Sequence, residues 1–170
     1  MFGKGDYVYH ASGGVCRVED LQYAPLAGMP TDRLYYVLRS LHDPNGVIYL
    51  PTDCTAVFLR PLLSREEANE LVSEVPALSS LQAGDAKALR AAYIEAMKTH
   101  DPHEWVRVIK TVYERANSLS KVSRTQRLSE TERSYGEEAK RNLFTELSLV
   151  LNIPNDKVEN YVFGSLAEAE

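Results

Sequence analysis

Residues 34–51 read LYYVLRSLHDPNGVIYLP, which is two runs of strand-forming residues on either side of a turn. Tyr, Val, Ile and Leu dominate both runs, and Asn45-Gly46 is a pair that tolerates the positive φ of a tight two-residue hairpin turn. Pro51 ends the second run because proline cannot donate a ladder hydrogen bond. The stretch predicts an antiparallel hairpin, and it decides that this part of the chain is rich in β-structure.

The same pattern extends toward the N-terminus. Tyr7 to His10 and Val15 to Leu21 read as short strands around the turn Ser12-Gly13-Gly14, and Pro25 to Asp32 is prone to turns. Four to five short strands separated by tight turns predict a small curled antiparallel sheet or partial barrel.

Side chains alternate along residues 34–39, so that the even-numbered residues can fill a core while Tyr35, Val37 and Arg39 lie on the opposite face. This second face could present aromatic side chains to a partner. Alternatively, both faces are covered by the rest of the protein.

After residue 63 the pattern changes to helices with recognisable starts. The predicted helices run from Ser64 to about Val75, from Asp85 to about Thr99, from Asp101-Pro102 onward, from Ser129 to about Leu151, and from Lys157 to Phe163. Ser64 with Glu67 forms a capping box, and Pro102 follows an N-cap aspartate. The sequence therefore predicts an α+β protein with a β-rich domain over residues 1–63 and a compact bundle of four to five helices over residues 64–170.

Apolar stripes assign the core of the helical domain. The helix after Asp101 is predicted to bury one side and to expose Arg107, Lys110 and Glu114 on the other. The predicted core residues of this helix and of the following long helix are Trp105, Val108, Ile109, Val112 and Ala116, and Ala139, Leu143, Leu147, Val150 and Leu151.

The composition excludes several classes of function. The 170-residue chain has a net charge of −5, has no segment resembling a signal peptide, and contains no phosphate-binding loop or nucleophile motif. Cys16 and Cys54 are too far apart for a metal or redox motif, and His100 with His103 has no neighbouring ligand pair. We expect a cytoplasmic protein that is not an enzyme and that has no cofactor, no metal, no membrane partner and no small-molecule substrate.

One segment of this acidic chain is strongly basic. From Trp105 to Arg127 there are six basic residues against the single acid Glu114, and they are Arg107, Lys110, Arg115, Lys121, Arg124 and Arg127. Serine and threonine hydroxyls lie between the last of them. The segment is a candidate surface for phosphate contacts, and the alternative is a solvated helix end followed by a loop.

Several short motifs, in this order along the chain, resemble the CarD/CdnL family of bacterial transcription regulators. In the β-rich half they are Gly5-Asp6-x-Val8-Tyr9, Gly14-Val15 with Val18, Tyr36-Val37-Leu38 and Ile48-Tyr49-Leu50-Pro51. In the helical half they are Leu128-Ser129 and Phe144-x-Glu146-Leu147. The resemblance covers residues 1 to about 163.

For the N-terminal domain, the resemblance implies a Tudor-like module, shared with transcription-repair coupling factor, that pairs a strand edge with the β subunit of RNA polymerase. Ala24 and Tyr49 stand where some relatives have arginines, and Arg39 is the nearest arginine on a suitable strand. The candidate polymerase-binding residues are Ala24, Tyr35, Val37, Arg39, Val47 and Tyr49.

For the helical domain, the resemblance implies contact with promoter DNA just upstream of the melted region, largely without regard to sequence. The tryptophan that several relatives wedge at the minor groove lies four residues before a helical tyrosine, and Leu89 holds that position before Tyr93. Leu89 could therefore project past the bundle as a smaller wedge or could belong to the core, whereas Trp105 belongs to a buried stripe. The candidate DNA-binding residues are Leu89, Arg90, Arg115, Lys121, Arg124, Arg127 and Arg133.

The sequence thus predicts a transcription regulator, associated with the nucleoid through RNA polymerase, that stabilises the open promoter complex. The alternative is a protein-interaction module whose Tudor-like half binds a peptide or another protein without contacting DNA.

Overall fold

The computed structural model describes residues 1–167, in which five strands precede five helices. The strands are β1 Tyr7–His10, β2 Gly14–Tyr23, β3 Leu34–Ser40, β4 Val47–Pro51 and β5 Leu59–Pro61. The helices are α1 Arg65–Glu74, α2 Ala86–Lys98, α3 Pro102–Val122, α4 Glu130–Leu151 and α5 Asn155–Ala167. The chain divides into two compact units, Met1–Leu62 and Leu63–Glu170. These elements confirm the predicted α+β organisation.

The five strands form one antiparallel sheet in the order β4-β3-β2-β1-β5. The long strand β2 pairs with β1 through its first residues and with β3 along most of its length, and the register shifts between Val18 and Asp20. Such a bulge bends a strand and increases its twist. One face holds the core of this unit, whose buried residues are Val8, Cys16, Val18, Tyr36, Leu38 and Leu50.

The hairpin of β3 and β4 is present, but its predicted two-residue turn is wrong. Arg39 is the last residue of β3 to pair with β4, opposite Val47, so a longer loop joins the strands. In this loop Gly46 N donates to Asp43 O at 2.9 Å, and neither Asn45 nor Gly46 has a positive φ. Pro44 sets the φ of the turn instead. A Cβ at Gly46 would lie 2.5 Å from Asp43 Oδ2, so a larger residue here would displace the exposed Asp43 side chain.

The centre of β3 is buried on both faces. Tyr36 and Leu38 belong to the core, and on the opposite face Tyr35 is only 6% exposed and Val37 only 9%. The centre of β3 therefore agrees with the alternative in which both faces of this strand are covered.

Four of the five predicted helix starts coincide with a capping residue, and these residues are Ser64, Asp85, Asp101 and Ser129. Ser64 and Ser129 form capping boxes with Glu67 and Glu132, and Asp85 accepts a hydrogen bond from Ala88 N. These side chains satisfy amide groups that the helix itself leaves unpaired. Two details differ from expectation, because α5 already begins at Asn155 and the predicted core residues Ala116 and Val150 are half-buried.

Helix α3 lies at the centre of the helical unit. From Val108 to Val112 every residue is buried, which spans more than one helical turn and so leaves no exposed side there. Trp105 is fully buried one turn earlier. Gly136 lets α4 approach α3 closely, since a Cβ at this position would lie 3.1 Å from Val112 Cγ2.

Because Trp105 is fully buried, Trp105→Ala should lower the free energy of unfolding by about 3 to 5 kcal/mol through lost burial and the cavity left behind. Chemical denaturation of the full chain measures this change. Tyr161→Ala is the matched control, because Tyr161 is an exposed aromatic residue of the same unit, and it should cost less than about 1 kcal/mol. Equal effects of the two substitutions would contradict the central position of Trp105.

Candidate functional site

The sheet register brings the candidate polymerase-binding residues of β3 and β4 together on one face. Val37 lies opposite Tyr49, and Arg39 lies opposite Val47. Ala24 directly follows β2 and has a left-handed backbone with a φ of 41°. The structure therefore gathers candidates from two strands into one patch and leaves Ala24 at the end of a third strand.

Accessibility differs within this patch. The buried side chains of Tyr35 and Val37 offer a partner little area, whereas Arg39, Val47 and Tyr49 are half-buried. Strand β4 lies at an edge of the sheet, and an edge strand presents backbone donors and acceptors on its outer side. The accessible part of the patch is thus β4 with Arg39 beside it.

Arg39 is held by groups of its own unit. Its Nε donates to Glu19 Oε1 at 2.6 Å, and its Nη1 donates to the Pro44 carbonyl oxygen. The hydrogen bond from Arg39 holds the pKa of Glu19 below its ordinary value, and the same bond raises the pKa of Arg39. Glu19 was not singled out from the sequence, although Glu19-Asp20 interrupts the apolar residues of β2.

Arg107, the first cation of the basic segment, already forms hydrogen bonds within the helical unit. Arg107 Nη1 donates to both carboxylate oxygens of Glu104 at 3.0 and 3.1 Å, and its Nε donates to the Ser79 carbonyl oxygen at 3.0 Å. The half-exposed Arg107 therefore already has an anionic partner.

The prediction that Lys110 lies on an exposed side is wrong. Lys110 is only 8% exposed, and its Nζ donates to the carbonyl oxygens of Val75 and Leu78. The connector between α1 and α2 covers this side of α3, which a helical periodicity cannot reveal. Burial lowers the pKa of Lys110, and the side chain is removed from any surface that binds DNA.

Arg115 lies about two turns before the end of α3 and links this helix to the first turn of α4. Its Nε donates to Glu132 Oε1, while Glu132 Oε2 accepts hydrogen bonds from Ser129 N and Ser129 Oγ at 3.3 Å each. Burial alone would raise the pKa of Glu132, but the hydrogen bonds from Arg115 and from the Ser129 backbone outweigh it and hold this pKa below the ordinary value. The capping box predicted the helix start but not this second contact of Glu132.

The remaining cations of the segment are exposed. Lys121 lies in the last turn of α3, and Arg124 and Arg127 lie in the loop that leads to α4. None of the three forms an ion pair with any residue in the part of the chain that the structure describes. These three side chains are the available phosphate-binding groups of the segment.

The helical packing gathers further candidates at the α3–α4 end, which we define as residues 115–135. Tyr93 of α2 stacks on Tyr135 of α4, with ring centroids 5.6 Å apart and an interplanar angle of 16°. Arg90 lies about one turn before Tyr93, and Arg133 lies two residues before Tyr135, and both are exposed. Residues 115–135 contain five basic residues and two acidic ones, so this end has a positive charge on an acidic chain.

Of the two alternatives for Leu89, the structure contradicts the one in which it projects past the bundle and agrees with the one in which it belongs to the core. Leu89 is 8% exposed and belongs to the buried side of α2 with Tyr93, Ala96 and Met97. An apolar side chain at this helical position is driven into the core when a neighbouring helix covers it. Leu89 thus offers DNA no accessible wedge.

Comparison with protein families assigns both halves of the chain. A model of the CarD-like/TRCF RID domain matches residues 2–63, and a model of the CarD C-terminal domain matches residues 89–163. The chain belongs to the CarD/CdnL family. No curated protein matches the chain closely enough for comparison.

Proteins of the CarD/CdnL family are non-enzymatic transcription factors, so the family gives this chain a transcription-associated role. The RID-like domain of transcription-repair coupling factor interacts with the β subunit of RNA polymerase, which supports polymerase as a partner of this chain. Within residues 1–167, no three His, Cys, Asp or Glu side chains are grouped so that they could hold a metal ion. Over the same residues, no helix has the length and apolar composition that are needed to cross a membrane.

The lowered pKa of Glu132 predicts how stability depends on pH in this CarD/CdnL-family chain. A carboxyl group with a lower pKa in the folded state stabilises the fold above its unfolded pKa, and this contribution is lost as the pH falls through the folded value. Glu132→Gln should therefore lower the free energy of unfolding at pH 7, and the deficit should shrink steadily below the ordinary value of 4.5. Denaturation series at several pH values measure it, and a deficit independent of pH would contradict the assignment.

Proposed function

We propose that this CarD/CdnL-family chain binds the β subunit of RNA polymerase through residues 1–62 and promoter DNA through the α3–α4 end, and that it stabilises the open promoter complex. The observation that carries the proposal is the presence, in one chain, of a RID-like unit and a helical unit with three exposed cations that have no acidic partner among the described residues.

On the polymerase side, the edge strand β4 is the proposed docking element. A strand of the partner that adds to a sheet edge gains main-chain hydrogen bonds, while the side chains beside the edge provide specificity. Val47 and Tyr49 project from β4 itself, and Arg39 adds a cation on the adjacent strand. Tyr35 and Val37 are buried beside these residues, so they would hold the strand in place and would not contact the partner directly.

On the DNA side, the proposed phosphate contacts are Lys121, Arg124 and Arg127, flanked by Arg90 and Arg133. Contacts to phosphates position a protein on the duplex but carry no sequence information. Few contacts on a chain with a net charge of −5 predict weak binding to isolated DNA. Attachment to polymerase would compensate, since it holds the helical unit near the promoter at a high effective concentration.

The polymerase contact can be tested with Arg39→Glu in the full chain. The substitution reverses a charge beside β4 and should weaken retention of the β subunit at least tenfold, which a titration with immobilised β subunit measures. Because Glu19 loses its partner, the fold of the variant is checked by circular dichroism. Arg141→Glu, which reverses an exposed charge on α4, is the matched control and should bind like the wild type. Equal affinities of the two variants for the β subunit would show that Arg39 does not lie in the interface.

The DNA contact can be tested by changing Lys121, Arg124 and Arg127 together to alanine. Each phosphate contact contributes about 0.9 to the slope of log affinity against log salt concentration, so the slope should fall by about 2 to 3. The lifetime of the open complex with polymerase should shorten in parallel. A matched triple variant removes the exposed cations Arg65, Lys98 and Lys157 from other helices of the same unit.

The matched triple variant should leave most of the salt dependence in place. If both triple variants lowered the slope equally, the DNA contact would not be confined to the α3–α4 end. If neither variant changed DNA binding, the alternative of a protein-interaction module without DNA contact would be favoured.

A further inference from the structure

Arg115 differs from Lys121, Arg124 and Arg127 of the α3–α4 end because it already forms an ion pair with an acidic side chain. Its guanidinium bonds Glu132, whose side chain is only 13% exposed, whereas Lys121, Arg124 and Arg127 are exposed and have no ion pair with any residue from 1 to 167. A carboxylate and a phosphate oxygen compete for the same guanidinium donors.

Glu132 is the fixed member of this pair. Its second carboxylate oxygen accepts hydrogen bonds from Ser129 N and Oγ, and its own backbone N donates to Ser129 Oγ at 3.2 Å. The Arg115 side chain is 41% exposed, and within residues 1–167 it forms no ion pair with a second acidic side chain. A phosphate would therefore have to take Arg115 away from a carboxylate that the helix cap holds in place.

We infer that Glu132 is an internal competitor of the DNA backbone for Arg115, so that the wild-type chain contacts DNA without using this arginine. The inference rests on the proposed function, because it concerns the same DNA-binding end. It assigns Arg115 a positioning role, in which it joins α3 to the first turn of α4, the two helices that the loop with Arg124 and Arg127 connects. Because Glu132 withholds Arg115 from phosphate, it also keeps the DNA affinity of the wild-type chain low.

The pair Glu132 and Glu130 allows a charge-matched test. Both are acidic residues in the first turn of α4, but only Glu132 bonds Arg115. Glu132→Gln and Glu130→Gln each remove one negative charge, and glutamine can still complete the capping box at position 132. Any difference between the two variants therefore reports on Arg115.

The measurement is binding of the full chain to a duplex of mixed sequence over a range of salt concentrations. Glu132→Gln should bind severalfold more tightly than Glu130→Gln at low salt, with a salt slope steeper by about 0.9, the contribution of one added phosphate contact. Arg115→Gln should leave the slope of the wild-type chain unchanged. In the Glu132→Gln background, the same substitution should remove the added slope.

Equal slopes for Glu132→Gln and Glu130→Gln would overturn the inference. A slope shallower by about 0.9 for Arg115→Gln alone would also overturn it, because Arg115 would then contact phosphate in the wild type. If Glu132→Gln folds incompletely by circular dichroism, Arg115→Gln alone decides the question. The triple variant of Lys121, Arg124 and Arg127 separates the two proposals, because its failure to weaken binding would contradict the proposed function itself.

Discussion

Complete burial of α3 between Val108 and Val112 is the constraint on which the helical unit depends. A helix with no exposed side must satisfy every polar group along it from within. Lys110 does so by bonding two carbonyl oxygens at the end of α1 and in the following connector, and Thr111 Oγ accepts a hydrogen bond from Leu81 N at 2.8 Å. This packing removes Lys110 of the basic segment from the surface, whereas Lys121, Arg124 and Arg127 further along the chain are exposed.

Both candidate interfaces contain an arginine that is already bonded to a glutamate. Arg39 bonds Glu19 in the sheet, and Arg115 bonds Glu132 between two helices. Each of these ion pairs lowers the charge that a partner meets. A protein built in this way would bind each partner weakly, and it would need polymerase and promoter together for a stable complex, which agrees with the function we propose.

Much of the fold could be predicted from the sequence because its signals are local. Capping boxes at Ser64 and Ser129 depend on residues three positions apart, and the strand runs depend on alternation over a few residues. The turn after β3 was predicted less well, since Pro44 and the Asp43 side chain control it rather than Asn45-Gly46. The candidate site was predicted only in part, because the sequence located the basic segment but not the acids that bond its arginines.

The sequence by itself determined the order of the elements, the starts of the first four helices, the family and the segment of concentrated positive charge. Only the tertiary structure decided which side chains of that segment are accessible. Lys110 and Leu89 are buried by segments that are distant in sequence or by neighbouring helices, and Arg115 meets Glu132 across a loop. Accessibility and ion pairing depend on which elements pack together, and no periodicity within one helix contains that information.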